Sequence, residues 1–159
     1  MNRIAPFALA LLAGCIVNEI AAGAGASRTS PWYETGEVRI ARADLIRTIR
    51  DLITRNDYVT SKFDADANPI ETDWDVHMSP HFRQSFRSKL EIELVPTPGG
   101  FNVRTRSWME INNNSPHPSD PDRAEWVGAG VSDRHEDRIN EPAMRFHSML
   151  KIRLFGFNQ

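Results

Sequence analysis

The stretch SFRSKLEIELV (residues 85–95), followed by PTPGG (96–100) and FNVRTRSWMEIN (101–112), decides the fold. In both long runs, apolar residues alternate with charged or polar ones, and a period of two residues is typical of strands with one buried face. The segment between them is rich in proline and glycine, which favour turns. The sequence therefore predicts a central β-hairpin.

One register of this hairpin satisfies both the apolar face and the charges. If Leu94 faces Val103, the pairs on the polar face are Glu93 with Arg104, Glu91 with Arg106, Lys89 with Trp108, and Arg87 with Glu110. Each pair contributes only about 0.2–1 kcal/mol. However, a slip of one residue would turn the whole apolar set towards water. We therefore expect this register.

A third strand is predicted from the alternation between residues 70 and 78. Its apolar set is Ile70, Thr72, Trp74, Val76 and Met78. If Val76 faces Phe86, then Asp75 meets Arg87, whereas Glu71 meets Glu91 unfavourably.

Two helices are predicted from apolar stripes at helical spacing. The first stripe consists of Leu45, Ile46, Ile49, Leu52 and Ile53. The second helix opens with the capping-box pair Asp133 and Glu136, and its stripe consists of Ile139, Ala143, Phe146, Met149 and Leu150. Pro142 interrupts this stripe, so we expect a kink or a restart capped by Asn140.

Short strands at 37–40 and 58–63 complete the predicted order of elements. Residues 112–123 are expected to form a long polar loop, after which Trp126 folds back onto the core. This order indicates an α+β fold. We expect a two-layer domain, with an antiparallel sheet of four to five strands and two helices packed on one face.

Composition limits the possible functions. The chain has 159 residues and a formal net charge of −2. This mildly acidic balance gives no electrostatic reason to expect nucleic-acid binding. Its single cysteine excludes an internal disulfide and a multi-cysteine zinc site. We find no metal-ligand spacing, nucleophile motif or phosphate-binding glycine loop. We therefore expect no metal, no cofactor and no enzymatic activity.

The amino terminus has the pattern of an export signal. Arg3 precedes an apolar run, Ile4 to Ala13, that is shorter than the roughly 20 residues needed to span a bilayer. The run ends in Leu12-Ala13-Gly14-Cys15 and resembles the lipobox of a bacterial lipoprotein precursor. The resemblance implies cleavage before Cys15 and lipidation of its sulfur by diacylation. A buried core cysteine, or an ordinary signal cut after residues 24–26, is the alternative.

The expected organisation follows from this resemblance. Residues 1–14 are a signal peptide, 15–31 a lipidated flexible tether and 32–159 a single α+β domain. Ile16 rather than aspartate follows Cys15, which by resemblance implies the outer membrane, with the protein facing the periplasm. The order of elements in residues 32–155 also resembles that of helix-grip envelope assembly lipoproteins such as BamC.

The sequence leaves several functions open. The first hypothesis is a non-enzymatic scaffold or accessory subunit of a cell-envelope complex, anchored in the membrane by Cys15 and bound to an envelope protein. Its possible interaction residues are Trp126, His117, Phe155 and Phe157. The second is a carrier of a small apolar ligand in a pocket between the helices and the sheet. The third is a hydrolase or isomerase. A cleft that pairs a histidine with a carboxylate would favour this hypothesis.

Overall fold

The computed structural model describes residues 28–58, 63–78, 85–113, 120, 123–128 and 133–156, with side chains from residue 138 onwards in the last range. These residues form an α+β fold. Its elements are β1 (Arg28–Thr29), β2 (Tyr33–Val38), α1 (Arg42–Arg55), β3 (Ile70–Glu71), β4 (Asp75–His77), β5 (Phe86–Thr97), β6 (Gly100–Asn112), β7 (Trp126–Gly128) and α2 (Asp133–Phe155).

The central hairpin has the predicted register. Strands β5 and β6 pair from Phe86 opposite Ile111 to Thr97 opposite Gly100, and all five predicted pairs are present. The strands continue further than expected, because pairing extends through Pro96 and Thr97 and leaves a two-residue turn. Gly100 lies so close to β2 that a Cβ atom there would be 2.1 Å from the carbonyl oxygen of Val38. Only glycine fits this approach.

The sheet contains seven strands within the described residues, so the expected number of four to five is wrong. Every pairing is antiparallel. Three short strands, β7, β1 and β2, pair one after another with the outer edge of β6. Two more, β4 and β3, pair one after the other with the outer edge of β5. Only four strand positions therefore lie side by side. The additional strands are two or three residues long and too short to show a period in the sequence.

The first strand also corrects the domain boundary. Arg28 lies opposite Met109, and the backbone N–H of Ser30 donates to the carbonyl of Ser107 at 2.9 Å. Ser30 is buried. The folded domain therefore starts by Arg28, inside the segment that was expected to be a flexible tether, and four residues before the expected boundary at Trp32.

The third predicted strand is divided by a bulge. Glu71 lies opposite Glu91, as expected, but Asp75 lies opposite Ser88. Three residues of one strand thus face two residues of the other, which defines a β-bulge. Thr72 completes the hydrogen bonding there, because its Oγ1 accepts from the backbone N–H of Leu90 at 2.9 Å.

The extra residue changes which side chains face the core beyond the bulge. Val76 lies opposite Arg87 rather than Phe86, and it is 40% exposed. Asp75 was expected to face Arg87, but it faces Ser88, and its Oδ2 lies 3.0 Å from Nε2 of His77. The predicted pairing was wrong at this end because periodicity does not reveal one inserted residue.

Both predicted helices are present, and their stripes form the core. The buried helical residues are Leu45, Ile46, Ile49, Ile53, Ile139, Ala143, Phe146 and Leu150. Most of them form one cluster with residues of the sheet, including Ile70, Leu90, Ile92, Leu94 and Val103. We call the sheet face that carries these five residues the apolar face. Fully burying such a side chain contributes about 1.5–3 kcal/mol.

Helix α2 runs from Asp133 to Phe155 with Pro142 inside it, so of the two expected outcomes, a kink or a restart capped by Asn140, the restart is wrong. Pro142 cannot donate a backbone hydrogen bond, but its carbonyl accepts one from the hydroxyl of Tyr58 at 3.3 Å. The capping side chains of Asp133 and Glu136 lie outside the described side chains. Gly156 has φ +81° and follows the last helical turn.

Two other expectations concern loops and short strands. Residues 59–62 of the expected strand at 58–63, and most of the polar loop, lie outside the described residues. Trp126 was expected to fold back onto the core. It lies instead in β7, opposite Asn112, and contacts Arg87 on the other face of the sheet. The short length of β7 concealed its register.

Candidate functional site

The sheet face opposite the apolar face carries charges and indole rings, and we call it the charged face. Along β5 and β6, its residues alternate with those of the apolar face: Arg87, Lys89, Glu91, Glu93, Arg104, Arg106, Trp108 and Glu110. The neighbouring strands and loops add the other three tryptophans of the chain. All four indoles contact cations of this face.

These side chains stack in an alternating order that we call the cation–indole ladder. From one end to the other, its members are Trp126, Arg87, Trp74, Lys89, Trp108, Arg106, Trp32 and Arg104. The cation-to-ring distances range from 4.3 Å, for Arg106 over Trp32, to 5.6 Å, for Lys89 over Trp108. All are within the 6 Å at which a cation is attracted to a ring face.

Each cation of the ladder also has a carboxylate. Arg87 Nε donates to Glu110 Oε2 at 2.7 Å, and Lys89 Nζ donates to Glu71 Oε2 at 2.6 Å. Arg104 Nη1 donates to Glu93 Oε2 at 3.2 Å, and its Nε lies at ion-pair distance, 3.3 Å, from Glu34 Oε1. The fourth cation, Arg106, binds the most buried carboxylate.

Glu91 is the centre of this arrangement, with only 9% of its side chain exposed. It accepts two hydrogen bonds from Arg106, at 2.8 and 3.1 Å, and a third from the indole N–H of Trp108. A buried carboxylate is tolerated when it is paired and fully hydrogen-bonded. The geometry around Glu91 therefore holds one arginine and one indole in fixed orientations.

The ladder cations are mostly shielded from water. The exposed fractions of their side chains are 24% for Arg87, 17% for Lys89, 31% for Arg104 and 25% for Arg106. Screening is weaker at such sites than at fully exposed ones, so each cation–indole contact contributes about 0.5–2 kcal/mol. The charged face is therefore a partly shielded surface with alternating aromatic and ionic groups.

A second candidate lies at the junction of α2 with β4 and β5, and we call it the α2 cleft. It has a volume of about 230 Å³. On its sheet side, His77 Nε2 lies 3.0 Å from Asp75 Oδ2, and the imidazole stacks on Phe86 with ring centroids 4.6 Å apart. On its helix side are Arg138, Glu141 and Arg145. The cleft thus pairs a histidine with a carboxylate.

Tyr58 also lines the α2 cleft. Burial raises the pKa of the Tyr58 hydroxyl above its usual value. The positive charge of Arg145 acts in the opposite direction, while the negative charges of Asp75 and Glu141 add to the increase. Groups of both signs therefore act on this hydroxyl.

A buried histidine lies outside both sites. His147 is 8% exposed, and its ring contacts that of Tyr33 with centroids 5.9 Å apart. Burial and the positive charge of Lys151 lower the pKa of His147, while a hydrogen bond to the backbone of Glu34 opposes this. Its Nδ1 is buried and has no hydrogen-bond partner within the described part of the chain. His147 is therefore neutral at pH 7.

The structure describes two of the predicted site residues, and they lie on different elements. Trp126 is at one end of the cation–indole ladder, whereas Phe155 is half-buried in the last turn of α2. Cys15, His117 and Phe157 lie outside the described residues. The sequence revealed the Lys89–Trp108 contact, but Trp32 and Trp74 were missed as ladder members. Their positions depend on pairing with distant segments and on the bulge.

The described residues hold neither a cluster of metal ligands nor a membrane-spanning helix. They contain no group of three or more histidine, cysteine or acidic side chains that could hold a metal ion. None of their helices is long and apolar enough to cross a membrane. No protein-family model matches this chain, and no curated protein matches it in sequence.

Proposed function

We propose that this protein is a non-enzymatic, membrane-anchored lipoprotein of the cell envelope that binds a protein partner through the cation–indole ladder. The ladder is the observation that carries this proposal. It contains all four tryptophans, and they alternate with three arginines and a lysine. Tryptophan and arginine are the residues most enriched at the energetic centres of protein interfaces.

Preorganisation of the ladder supports this role. Binding usually costs about 0.5–1.5 kcal/mol for each flexible side chain that becomes ordered. The four cations of the ladder and the indole of Trp108 are already held by carboxylates, so much of this cost is incurred on folding. Val76 adds an exposed apolar side chain opposite Arg87 on the same face.

The proposal includes a two-layer arrangement. Both helices contribute to the cluster that contains Leu90 and Ile92, so we infer that they cover the apolar face. The charged face then has no second layer within the described residues and is open to a partner. The role proposed is that of a scaffold or accessory subunit.

The anchor in this proposal is Cys15, as the lipobox resemblance implies. Residues 15–27 precede the first strand and span at most about 45 Å when fully extended. A tether of this length supports a position of the domain close to the membrane surface, and we propose the periplasmic side of the outer membrane. Several acyl chains make such anchoring effectively permanent, because each buried methylene contributes about 0.8 kcal/mol.

Crosslinking in intact cells tests the partner. A photoreactive benzoylphenylalanine replaces Val76, beside the ladder, in the full-length chain. The matched control carries it at Arg47, which is exposed on α1. We expect a reproducible protein adduct from position 76 alone. No adduct, or the same adducts from both positions, would overturn the proposal.

The α2 cleft pairs His77 with Asp75, as the hydrolase or isomerase hypothesis requires. However, 48% and 42% of these side chains are exposed, and a solvated pair of this kind does not by itself support catalysis.

For the second hypothesis, a carrier of a small apolar ligand, the α2 cleft has a suitable position. It lies between a helix and the sheet, as that hypothesis requires. However, Asp75, His77, Arg138, Glu141 and Arg145 line it. A cleft with this lining favours a polar ligand, because an apolar one would leave these groups unpaired.

A further inference from the structure

The α2 cleft combines charges of both signs with an apolar floor. Helix α2 contributes Arg138, Glu141 and Arg145, at spacings of three and four residues, so they lie on one side of the helix. Strand β4 contributes Asp75 on the opposite wall. The cleft therefore presents two cations and two carboxylates.

The helical charges of the cleft are available for a ligand. Arg138, Glu141 and Arg145 are all exposed. No oppositely charged side chain lies within ion-pair distance of any of them in the part of the chain that the structure describes. This distinguishes them from the cations of the ladder, each of which already binds a carboxylate.

The floor of the cleft is aromatic. Phe86 stacks on His77, and the guanidinium of Arg138 lies 5.5 Å from the centre of the same ring. Pro142 and Tyr58 add further apolar surface. At about 230 Å³, the cleft is smaller than the range of about 300–1,000 Å³ usual for drug-sized ligands, which indicates a small molecule.

We propose that the α2 cleft binds a small zwitterion, namely a free amino acid with an apolar side chain. Its carboxylate pairs with Arg138 and Arg145, its ammonium group pairs with Asp75 and Glu141, and its side chain packs on Phe86. A simple anion would face the two carboxylates without compensation, and a simple cation would face the two arginines. This inference is independent of the proposed function, which concerns the charged face.

A set of three matched compounds tests this proposal. L-leucine carries both charged groups, 4-methylpentanoate lacks the ammonium group, and 3-methylbutylamine lacks the carboxylate. Each is titrated into the full-length chain, purified in detergent, and amide chemical shifts are recorded. We expect saturable shifts with leucine at residues around Tyr58 and Glu141. Each of the other two compounds should bind at least tenfold more weakly.

Variants complete the test. Arg145→Gln and Glu141→Gln should each weaken leucine binding at least fivefold. The control is Arg153→Gln, because Arg153 is exposed on the same helix but does not line the cleft. This variant should leave the affinity for leucine unchanged. The altered side chains are exposed, so all three variants should keep the wild-type thermal midpoint. Equal binding of leucine and 4-methylpentanoate, absence of saturable shifts, or equal affinity in all variants would overturn the proposal.

Discussion

Glu71 lies directly opposite Glu91 in the sheet, where two carboxylates should repel each other. The structure resolves this conflict by giving each carboxylate its own cation. Lys89 binds Glu71 at 2.6 Å, and Arg106 binds Glu91 through two hydrogen bonds. These two cations also belong to the cation–indole ladder, so the ladder neutralises like charges across the strand pair.

The role of Lys89 in this neutralisation can be tested by Lys89→Met. Methionine keeps most of the apolar length but removes the charge, so Glu71 loses its cation opposite Glu91, and Trp74 and Trp108 each lose one of their two cations. We expect the free energy of unfolding, measured with urea, to fall by about 1–2 kcal/mol. The loss should be larger at low ionic strength.

Arg47→Met is the control for Lys89→Met. Arg47 pairs with Asp44 on the exposed side of α1 at 3.1 Å, and 73% of its side chain is exposed. Such pairs contribute about 0.3–0.5 kcal/mol. If both variants lose the same small amount of stability, the ladder does not stabilise the sheet as we describe.

The bulge depends on Thr72. Thr72→Val keeps the shape of the side chain but removes the acceptor for the backbone N–H of Leu90, which is buried. An unsatisfied buried donor costs about 1–3 kcal/mol, and we expect this loss in urea unfolding. The control is Thr48→Val. It removes a hydroxyl that donates to the carbonyl of Asp44 on the exposed side of a helix, so the free energy of unfolding should change by no more than about 0.5 kcal/mol. Equal effects would contradict the role of Thr72.

The buried His147 predicts a pH dependence. Because the pKa of His147 is lowered in the folded state, the unfolded chain binds the proton first, at about pH 6.5. Stability from this group is complete above that pH and declines as the pH falls below it. Thermal midpoints between pH 7.5 and 5.5 should therefore decrease more steeply in the wild type than in His147→Phe. If the thermal midpoints of the two proteins fall in parallel with pH, His147 does not contribute to the pH dependence of stability.

The lipobox predicts the fate of Cys15. Mature protein extracted from membranes should begin at Cys15 and have an intact mass above that of the polypeptide by the mass of its acyl chains. Cys15→Ser removes the thiol that forms the thioether, so we expect unprocessed or soluble protein without this added mass. An unmodified Cys15 in secreted wild-type protein would remove the basis for a tethered component.

Local patterns in the sequence predicted much of the fold. The hairpin was predictable because its strands are long and adjacent in sequence, so one register satisfied every cross-strand pair from Arg87–Glu110 to Leu94–Val103. The helical stripes were predictable because a helix buries residues three and four apart. The seven-strand count and the bulge at Thr72 were not, since strands of two or three residues and a single inserted residue leave no periodic signal.

The candidate sites depended on contacts between distant segments. Trp32, Trp74 and Trp126 join the ladder from three separate parts of the chain, and only sheet pairing brings them to Arg87 and Arg106. The α2 cleft likewise required the bulge, which turned Asp75 and His77 towards the helix side.

The sequence by itself determined the central hairpin, its register and the buried face of each helix, because these follow from the alternation of neighbouring residues. Tertiary structure alone decided the order of indoles and cations on the charged face, and the meeting of Asp75 with α2. The physical reason is that these contacts join segments separated by tens of residues in the sequence. Their geometry is set by the pairing of edge strands and by one bulge, and neither produces a periodic pattern of apolar residues.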